Sequence, residues 1–197
     1  MSVGYELVIV GTSWGGLDAL RLMVGALPRD FGLAVIIVQH RHKESGNLLR
    51  GFLQDVTPLP VTEVEDKMPI EAGAVYVAPP DYHTLVECGS FSLSCDAPVR
   101  YSRPSIDVAM LSAADAYTFR TVGVVLTGAN ADGAAGLRRI VDRGGLAVIQ
   151  SPAEAESPMM PTAALAAVPN ARVFTLAQVS RFITSLPVLV HPAGGAE

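Results

Sequence analysis

Short apolar runs alternate along the chain with stretches in which apolar residues recur at helical spacing. The first run, Glu6 to Val10, is continuous and ends at a glycine, as expected for a strand buried in a parallel sheet. Helical spacing follows from Gly15 to Ala26, and Pro28 ends that helix. The remaining pattern predicts strands over 34–39, 121–126, 146–150 and 172–174, and helices over 44–54, 105–117, 134–143, 158–167 and 176–186. This alternation predicts an α/β fold, a doubly wound and mainly parallel sheet with helices on both faces.

The middle of the chain interrupts this alternation. Four short strands are predicted there, over 61–64, 74–78, 84–88 and 91–94. Gly89-Ser90 fits a two-residue hairpin connection between the last two, so we expect an inserted antiparallel hairpin. The only two cysteines, Cys88 and Cys95, do not face each other in that register, and free thiols are expected.

Length, composition and charge narrow the class of protein. The 197 residues suit one domain, predicted over 1–186 and followed by a disordered tail over 187–197. Half of the residues are hydrophobic and 17% are charged, which excludes a disordered chain. The net charge is −5 and basic residues are scattered, so no nucleic-acid partner is predicted. Without an export signal or an apolar run of roughly 20 residues, we expect a cytoplasmic protein with no direct membrane insertion.

Three buried strands deliver polar residues at their carboxyl ends, where sites form in open α/β sheets. Ser13 follows the first strand, His40 the second, and Asp132 lies in the loop after the third. They supply the nucleophile, the base and the orienting acid of a hydroxyl-based hydrolase. The predicted site loops contain Gly11, Thr12, Trp14, Gly15 and Gly16 after the first strand, and Gly128, Ala129, Asn130 and Gly133 after the third.

Each of the three residues also has an interpretation without catalysis. Ser13 lies in a G-x-S-x-G pattern, but a serine in such a turn also caps helices. Asp132 precedes a predicted helix and fits an N-cap equally well. His40 could be a half-buried histidine bonded to backbone. The chain order Ser, His, Asp argues against a standard α/β-hydrolase but not against a triad.

Rival acids and rival binding sites are weaker alternatives. Asp81, Asp107 and Asp115 could orient a histidine by residue type, but Asp107 fits the first turn of a helix and Asp115 lies inside one. Asp132 is preferred because it follows the carboxyl end of a buried strand. The first loop has G-x-x-x-G-G spacing rather than the G-x-G-x-x-G of dinucleotide-binding folds, and no phosphate-binding loop occurs. His40 and His42 could suggest a metal pair, but no carboxylate or cysteine lies at ligand spacing from them, so no metal site is predicted.

Several spaced segments resemble the catalytic domain of the chemotaxis protein-glutamate methylesterase (CheB) family. They are VIVGTSWGG, VIIVQH, EVED, AVYVAPPDYH, RPSIDV and VGVVLTGANADGAAG, between about Val8 and Leu186. The resemblance implies that Ser13, His40 and Asp132 form a catalytic triad. It also implies oxyanion-hole backbone N–H groups, with Ala129 at the matching position and Trp14 as a further candidate. No cofactor or metal is implied.

The same resemblance implies a reaction and a partner. The expected reaction is hydrolysis of glutamate γ-methyl esters on the signalling helices of a methylated chemoreceptor, with deamidation of receptor glutamines as a second activity. Two alternatives remain: a serine esterase or amidase with another substrate, and a catalytically silent binding module.

The chain departs from the family pattern in four ways. Trp14 replaces the usual small residue after the nucleophile, and Ala129-Asn130 replaces Met-Gly. Residues 41–44 form a more charged loop after the base, which bears on the fit to a receptor helix. The first strand starts by Glu6, so a stand-alone domain without a receiver is expected, with a site that is either constitutively accessible or controlled by a separate regulatory protein.

Overall fold

The sheet holds seven parallel strands. The computed structural model describes residues 4–42, 46 and 48–189. The strands are β1 (Leu7–Thr12), β2 (Ala34–Gln39), β3 (Val61–Glu63), β4 (Val75–Val77), β5 (His83–Val86), β6 (Phe91–Ser94), β7 (Thr121–Val125), β8 (Leu146–Gln150) and β9 (Arg172–Phe174). Seven of them pair in the order β3-β4-β2-β1-β7-β8-β9, and every pairing is parallel. The predicted parallel sheet is confirmed.

Helices cover both faces of this sheet. They are α1 (Gly16–Gly25), α2 (Leu48–Gln54), α3 (Ile106–Tyr117), α4 (Ala134–Asp142), α5 (Met159–Ala167) and α6 (Leu176–Thr184). Alternate residues of β1 enter two separate cores, because successive side chains of a strand point to opposite faces. Leu7 and Ile9 pack with α3, α4 and α5, whereas Val8 and Val10 pack with α1, α2 and α6. In the described part of the chain, no helix has the length and apolarity needed to cross a bilayer.

Most element boundaries lie within two residues of their predictions. β1 continues to Thr12 because its pairing with β2 extends to Gln39. Residues 43–45 and 47, where the start of α2 was expected, lie outside the described residues. Residues 187–189 were expected in a disordered tail, but Pro187 accepts a hydrogen bond from the Tyr5 N–H and Leu189 donates one to the Tyr5 carbonyl. The rest of that tail, 190–197, is outside the described residues.

The inserted hairpin is present, with its turn shifted by one residue. β5 and β6 form a separate antiparallel pair. The Glu87 N–H donates to the Ser90 carbonyl at 2.8 Å, so the two turn residues are Cys88 and Gly89 rather than Gly89 and Ser90. Gly89 has φ +80°, and this left-handed conformation places the glycine at the second turn position. Cys88 and Cys95 are exposed free thiols.

Candidate active site

Three neighbouring strands bring the predicted residues to one edge of the sheet. β1 lies between β2 and β7, and its last residues pair with the last residues of both. Ser13 therefore leaves the sheet beside His40, and the loop after β7 leaves on the other side of Ser13. This adjacency follows from the parallel register alone.

His40 and Asp132 are in direct contact, although 92 residues separate them in sequence. Nε2 of His40 lies 2.8 Å from Oδ2 of Asp132. The Asp132 side chain is fully buried, whereas 11% of the His40 side chain remains exposed. An ionised carboxylate only accepts hydrogen bonds, so this contact places the imidazole proton on Nε2 and leaves the lone pair on Nδ1.

The N-terminus of α3 holds the Asp132 carboxylate. Backbone N–H groups of Ile106 and Asp107 donate to it at 2.7 and 2.9 Å, and the Ser105 hydroxyl donates at 3.0 Å. Ser105 is the N-cap of α3, as predicted. The N-cap of α4 is Gly133, so Asp132 does not cap the helix that follows it. Its carboxylate occupies the anion-binding end of a different helix.

These donors decide the charge of Asp132. Burial alone opposes ionisation of the carboxyl, but the hydrogen bond from His40 and the N–H groups of Asp107 and Ile106 outweigh it. The pKa of Asp132 is therefore lowered from its ordinary value. The carboxylate is ionised at neutral pH and is able to stabilise an imidazolium.

Asp107 makes the reciprocal contact at the other helix. Its Oδ1 accepts from the N–H groups of Gly133 and Gly136 at 2.9 and 2.8 Å, at the start of α4. Burial, together with the nearby charge of Asp132, raises the pKa of Asp107. Asp107 thus braces the loop that carries Asp132 rather than contacting His40.

The other two rival acids belong to surface ion pairs. Asp81 pairs with Arg103 at 2.6 Å, and Asp115 pairs with Arg139 and Arg143. Neither carboxylate contacts the His40 ring.

The nucleophile loop is fixed through its backbone. The Ser13 N–H donates to the Thr127 carbonyl at 3.0 Å, and the Ser13 carbonyl accepts from the Gln39 side chain at 2.8 Å and from the Gly16 N–H at 3.0 Å. Within the described residues, the Ser13 hydroxyl makes no hydrogen bond. Ser13 and His40 line the same open cavity of about 470 Å³. The structure thus places Ser13 and His40 at one cavity, with no hydrogen bond between their side chains.

Two glycines give this loop its shape. Gly15 has φ +76° and is the N-cap of α1, which rules out Ser13 as the cap. A Cβ at Gly11 would lie 2.3 Å from Cγ2 of Ile106. Since the Ile106 N–H holds Asp132, the missing side chain at Gly11 lets β1 approach α3, the helix whose N-terminus binds Asp132.

Thr127 and Gln39 join the loops, and sequence reasoning did not assign them this role. The Thr127 hydroxyl donates to the Trp14 carbonyl at 2.9 Å and accepts from the Ser157 N–H at 2.8 Å. Thr12 donates to the Thr127 carbonyl at 2.8 Å. Thr127 and Gln39 are buried polar residues at or just beyond the end of a central strand, and that position is the signal that could have identified them.

The backbone N–H groups of Trp14 and Ala129, the two predicted oxyanion-hole donors, are unused. Among the hydrogen bonds of the described residues, the N–H groups of Trp14 and Ala129 donate none. The neighbouring Gly128 N–H is occupied by the Ser157 carbonyl at 3.0 Å. Free N–H groups beside a nucleophile are able to bind a developing oxyanion. The Trp14 side chain is 68% exposed and lines the Ser13 cavity, so it does not pack against a neighbouring loop.

Arg41 does not present its charge to solvent, although it belongs to the charged loop after His40. Its guanidinium side chain is only 7% exposed and lies 2.5 Å from the Glu63 carboxylate on β3. It also donates to the Ala78 carbonyl at 2.9 Å, after β4. Arg41 therefore anchors the loop to the sheet, while His42 is exposed.

Asn130 contacts both His40 and Asp132. Its Oδ1 accepts from the Asp132 N–H at 3.0 Å, and its Nδ2 lies 3.3 Å from Nδ1 of His40. The nitrogen of His40 that faces away from Asp132 therefore has the Asn130 amide beside it.

Comparisons with known proteins agree with this architecture. A sequence profile described as CheB methylesterase matches residues 8–183. The chain is 40% identical, over 93% of its length and 96% of the other, to a Leptospira interrogans protein provisionally named protein-glutamate methylesterase/protein-glutamine glutaminase. It is 36% identical to protein-glutamate methylesterase/protein-glutamine glutaminase 1 of Carboxydothermus hydrogenoformans, and spans 55% of that protein.

A solved structure gives the same result. The Thermotoga maritima CheB methylesterase catalytic domain matches with a TM-score of 0.87 and 26% identity, over 92% of this chain and 98% of that one. The resemblance noted from the spaced segments is confirmed by the profile, the relatives and the fold. The chain belongs to the CheB methylesterase family.

Proposed function

We propose that this chain hydrolyses glutamate γ-methyl esters on a methylated chemoreceptor, with Ser13 as nucleophile, His40 as base and Asp132 as orienting acid. The observation that carries the proposal is the 2.8 Å contact between His40 and Asp132 beside the cavity that Ser13 also lines. The names of the relatives support the substrate class.

The chemistry proceeds through Nδ1 of His40, because Nε2 is engaged by Asp132. Ser13 Oγ attacks the ester carbonyl carbon, and its proton passes to Nδ1. The carbonyl oxygen becomes an oxyanion, for which the N–H groups of Trp14 and Ala129 are the available donors. Collapse of this intermediate breaks the bond to the methoxy oxygen, which takes the proton from Nδ1 and leaves as methanol.

Water completes the cycle. A water molecule gives a proton to Nδ1 and attacks the acyl-Ser13 carbonyl carbon. The second tetrahedral intermediate then releases the glutamate carboxylic acid as the proton returns to Ser13 Oγ. A receptor glutamine would follow the same steps with ammonia as the leaving group, which accounts for the glutaminase name of the relatives.

The rim of the cavity suits a helical protein substrate. Trp14, Leu17 and Leu48 are 68%, 52% and 77% exposed. Leu17 lines the Ser13 cavity, and both leucines line an adjoining cavity of about 460 Å³ that reaches His40. Exposed apolar residues grouped around a site mark an interaction surface. We assign this surface to the apolar side of a receptor signalling helix, in a cytoplasmic setting and under the control of a separate regulatory protein.

The test is methanol release from a methylated receptor fragment, measured alongside labelling of Ser13 by a fluorophosphonate probe. We expect both with the wild-type chain and neither with Ser13→Ala. Labelling without methanol or ammonia release would favour a hydrolase with another substrate. The reason for considering this alternative is the exposed Trp14 at the cavity. Failure of Ser13 to react with the probe would favour a binding module and reject the proposal.

A further inference from the structure

We infer that Asn130 is a positioning residue whose carboxamide keeps His40 neutral, with its proton on Nε2 and the lone pair of Nδ1 ready to accept the Ser13 proton. The inference rests on the proposed hydrolase function.

The first step is the orientation of the carboxamide. Its Oδ1 accepts from the Asp132 N–H at 3.0 Å, and a backbone N–H requires an acceptor there. This hydrogen bond determines which end of the amide is oxygen. The atom 3.3 Å from Nδ1 of His40 is therefore the amide nitrogen, a pure donor.

The second step is the state of the imidazole. The two ring nitrogens face partners of opposite kind: Nε2 faces a carboxylate that only accepts, and Nδ1 faces an amide NH₂ that only donates. A neutral ring protonated on Nε2 satisfies both partners. An imidazolium would direct its Nδ1–H against the amide hydrogens. Asn130 therefore disfavours the charged ring in the resting site, whereas Asp132 favours it once the Ser13 proton has been transferred.

The third step concerns how the contact between the Asn130 amide and His40 Nδ1 breaks during the reaction. At 3.3 Å it is longer than the usual 2.9–3.0 Å of an N–H donor bond, and the Ser13 hydroxyl has no competing partner within the described residues. The hydroxyl is thus able to replace the amide at Nδ1 when substrate fills the cavity. Asn130 holds the ring without blocking the proton transfer.

Other charged groups near His40 are not placed to do this. Asp18 and Glu156 line the nucleophile side of the ring's cavity, and Arg41, His42, Asp81 and Arg103 line the cavity on its other side. In the described part of the chain, the side chains hydrogen-bonded to the ring nitrogens are Asp132 and Asn130.

Asn130→Asp is the sharpest test because it keeps the shape and the acceptor for the Asp132 N–H but replaces the donor by a carboxylate oxygen. That oxygen would accept from an Nδ1–H, so the imidazolium would lie between two carboxylates and could not act as a base. We expect kcat/KM at pH 7 to fall about tenfold or more, as for loss of a hydrogen bond to a charged group. The deficit should shrink as the pH rises.

The nitrogen NMR signals of His40 give a readout that a structural role would not move. In ¹⁵N-histidine-labelled protein, assigned with a His40→Gln variant, we expect one protonated and one unprotonated ring nitrogen at pH 7. The Asn130→Asp variant should instead have both nitrogens protonated. Asn130→Gly removes the amide donor without adding a charge, so it should lower kcat/KM but by less than Asn130→Asp does. Asn170→Asp adds the same charge at the exposed turn before β9, at the opposite edge of the sheet, and should change neither readout.

The inference and the proposed function fail separately. Wild-type activity and wild-type nitrogen signals in Asn130→Asp would overturn the role of Asn130 and leave the hydrolase intact. A doubly protonated His40 ring in the wild-type chain at pH 7 would also overturn it. Absence of methanol release from the wild-type chain would reject the proposed function instead, whatever the nitrogen signals are.

Discussion

The two halves of the candidate site are held by different means. On the acid–base half, the side chains of His40 and Asp132 bond to each other, and Asp132 also accepts hydrogen bonds from the N-terminus of α3. On the nucleophile half, Ser13 is held only through its backbone, and its hydroxyl makes no hydrogen bond within the described residues. If the proposed roles hold, the Asp132 side chain contributes to the stability of the fold as well as to chemistry, whereas the Ser13 hydroxyl contributes to chemistry alone. Substitutions should therefore separate effects on turnover from effects on stability.

The largest expected contrast is between Ser13→Ala and Asp132→Ala. Turnover should fall by about 10⁴-fold or more in both, because each removes a member of the proposed triad. Only Asp132→Ala should also lose stability, by about 2–4 kcal/mol, because it leaves the buried Ile106 and Asp107 N–H groups without an acceptor. Methanol release and urea unfolding measure the two effects.

Asp132→Asn is the control for this contrast, since the amide oxygen still accepts at the α3 N-terminus. It should recover much of the stability but little of the activity. If Ser13→Ala destabilised the chain as much as Asp132→Ala does, the two halves would not differ as described.

Lowering the pH should change the contribution of Asp132 to the free energy of unfolding but not that of Ser13. The folded-state pKa of Asp132 is lowered, so its stabilising contribution is present above the ordinary carboxyl pKa and is lost as the pH falls toward the folded value. We expect the difference in free energy of unfolding between wild type and Asp132→Asn to shrink in that range. Ser13→Ala should follow the wild-type profile. A difference that stays constant on acidification would contradict the lowered pKa.

Asp107 lies in the acid–base half, like Asp132, but its contribution to the free energy of unfolding should depend on pH in the opposite direction. Its folded-state pKa is raised, so ionising it costs stability as the pH rises from the ordinary carboxyl pKa through the folded value. Asp107→Asn should gain stability relative to wild type over that rise, by about 1 kcal/mol, since the amide oxygen still accepts from Gly133 and Gly136. Denaturant unfolding at several pH values in this range measures the difference. If Asp107→Asn instead became less stable relative to wild type as the pH rises, the raised pKa of Asp107 would be refuted.

The sequence alone predicted the sheet, its helices and the strand ends that deliver Ser13, His40 and Asp132. These predictions depend on periodicity and on the shared direction of parallel strands, which are local signals. The hairpin turn was predicted one residue too late. The prediction put Gly89 at the first turn position, but its positive φ places it at the second.

The contacts around the acid could not be predicted in the same way. Asp132 looked like a cap of its own helix α4, but it binds the N-terminus of α3, which begins 26 residues earlier. Nothing in the sequence predicted that the Arg41 side chain would be buried against Glu63. Both outcomes depend on which elements pack side by side, and that information is absent from the local pattern around each residue.

The smallest expected effect concerns the apolar rim on the nucleophile half. Leu17 and Leu22 are both on α1 and are 52% and 55% exposed, but only Leu17 lines the Ser13 cavity. Leu17→Gln should raise KM for a methylated receptor about fivefold, equivalent to roughly 1 kcal/mol of lost apolar burial, with kcat less affected. Leu22→Gln should leave both constants unchanged, and hydrolysis of a small ester such as p-nitrophenyl acetate should be less affected by Leu17→Gln than the receptor reaction is. Equal effects of the two substitutions on the receptor reaction would mean that the substrate helix does not contact this rim.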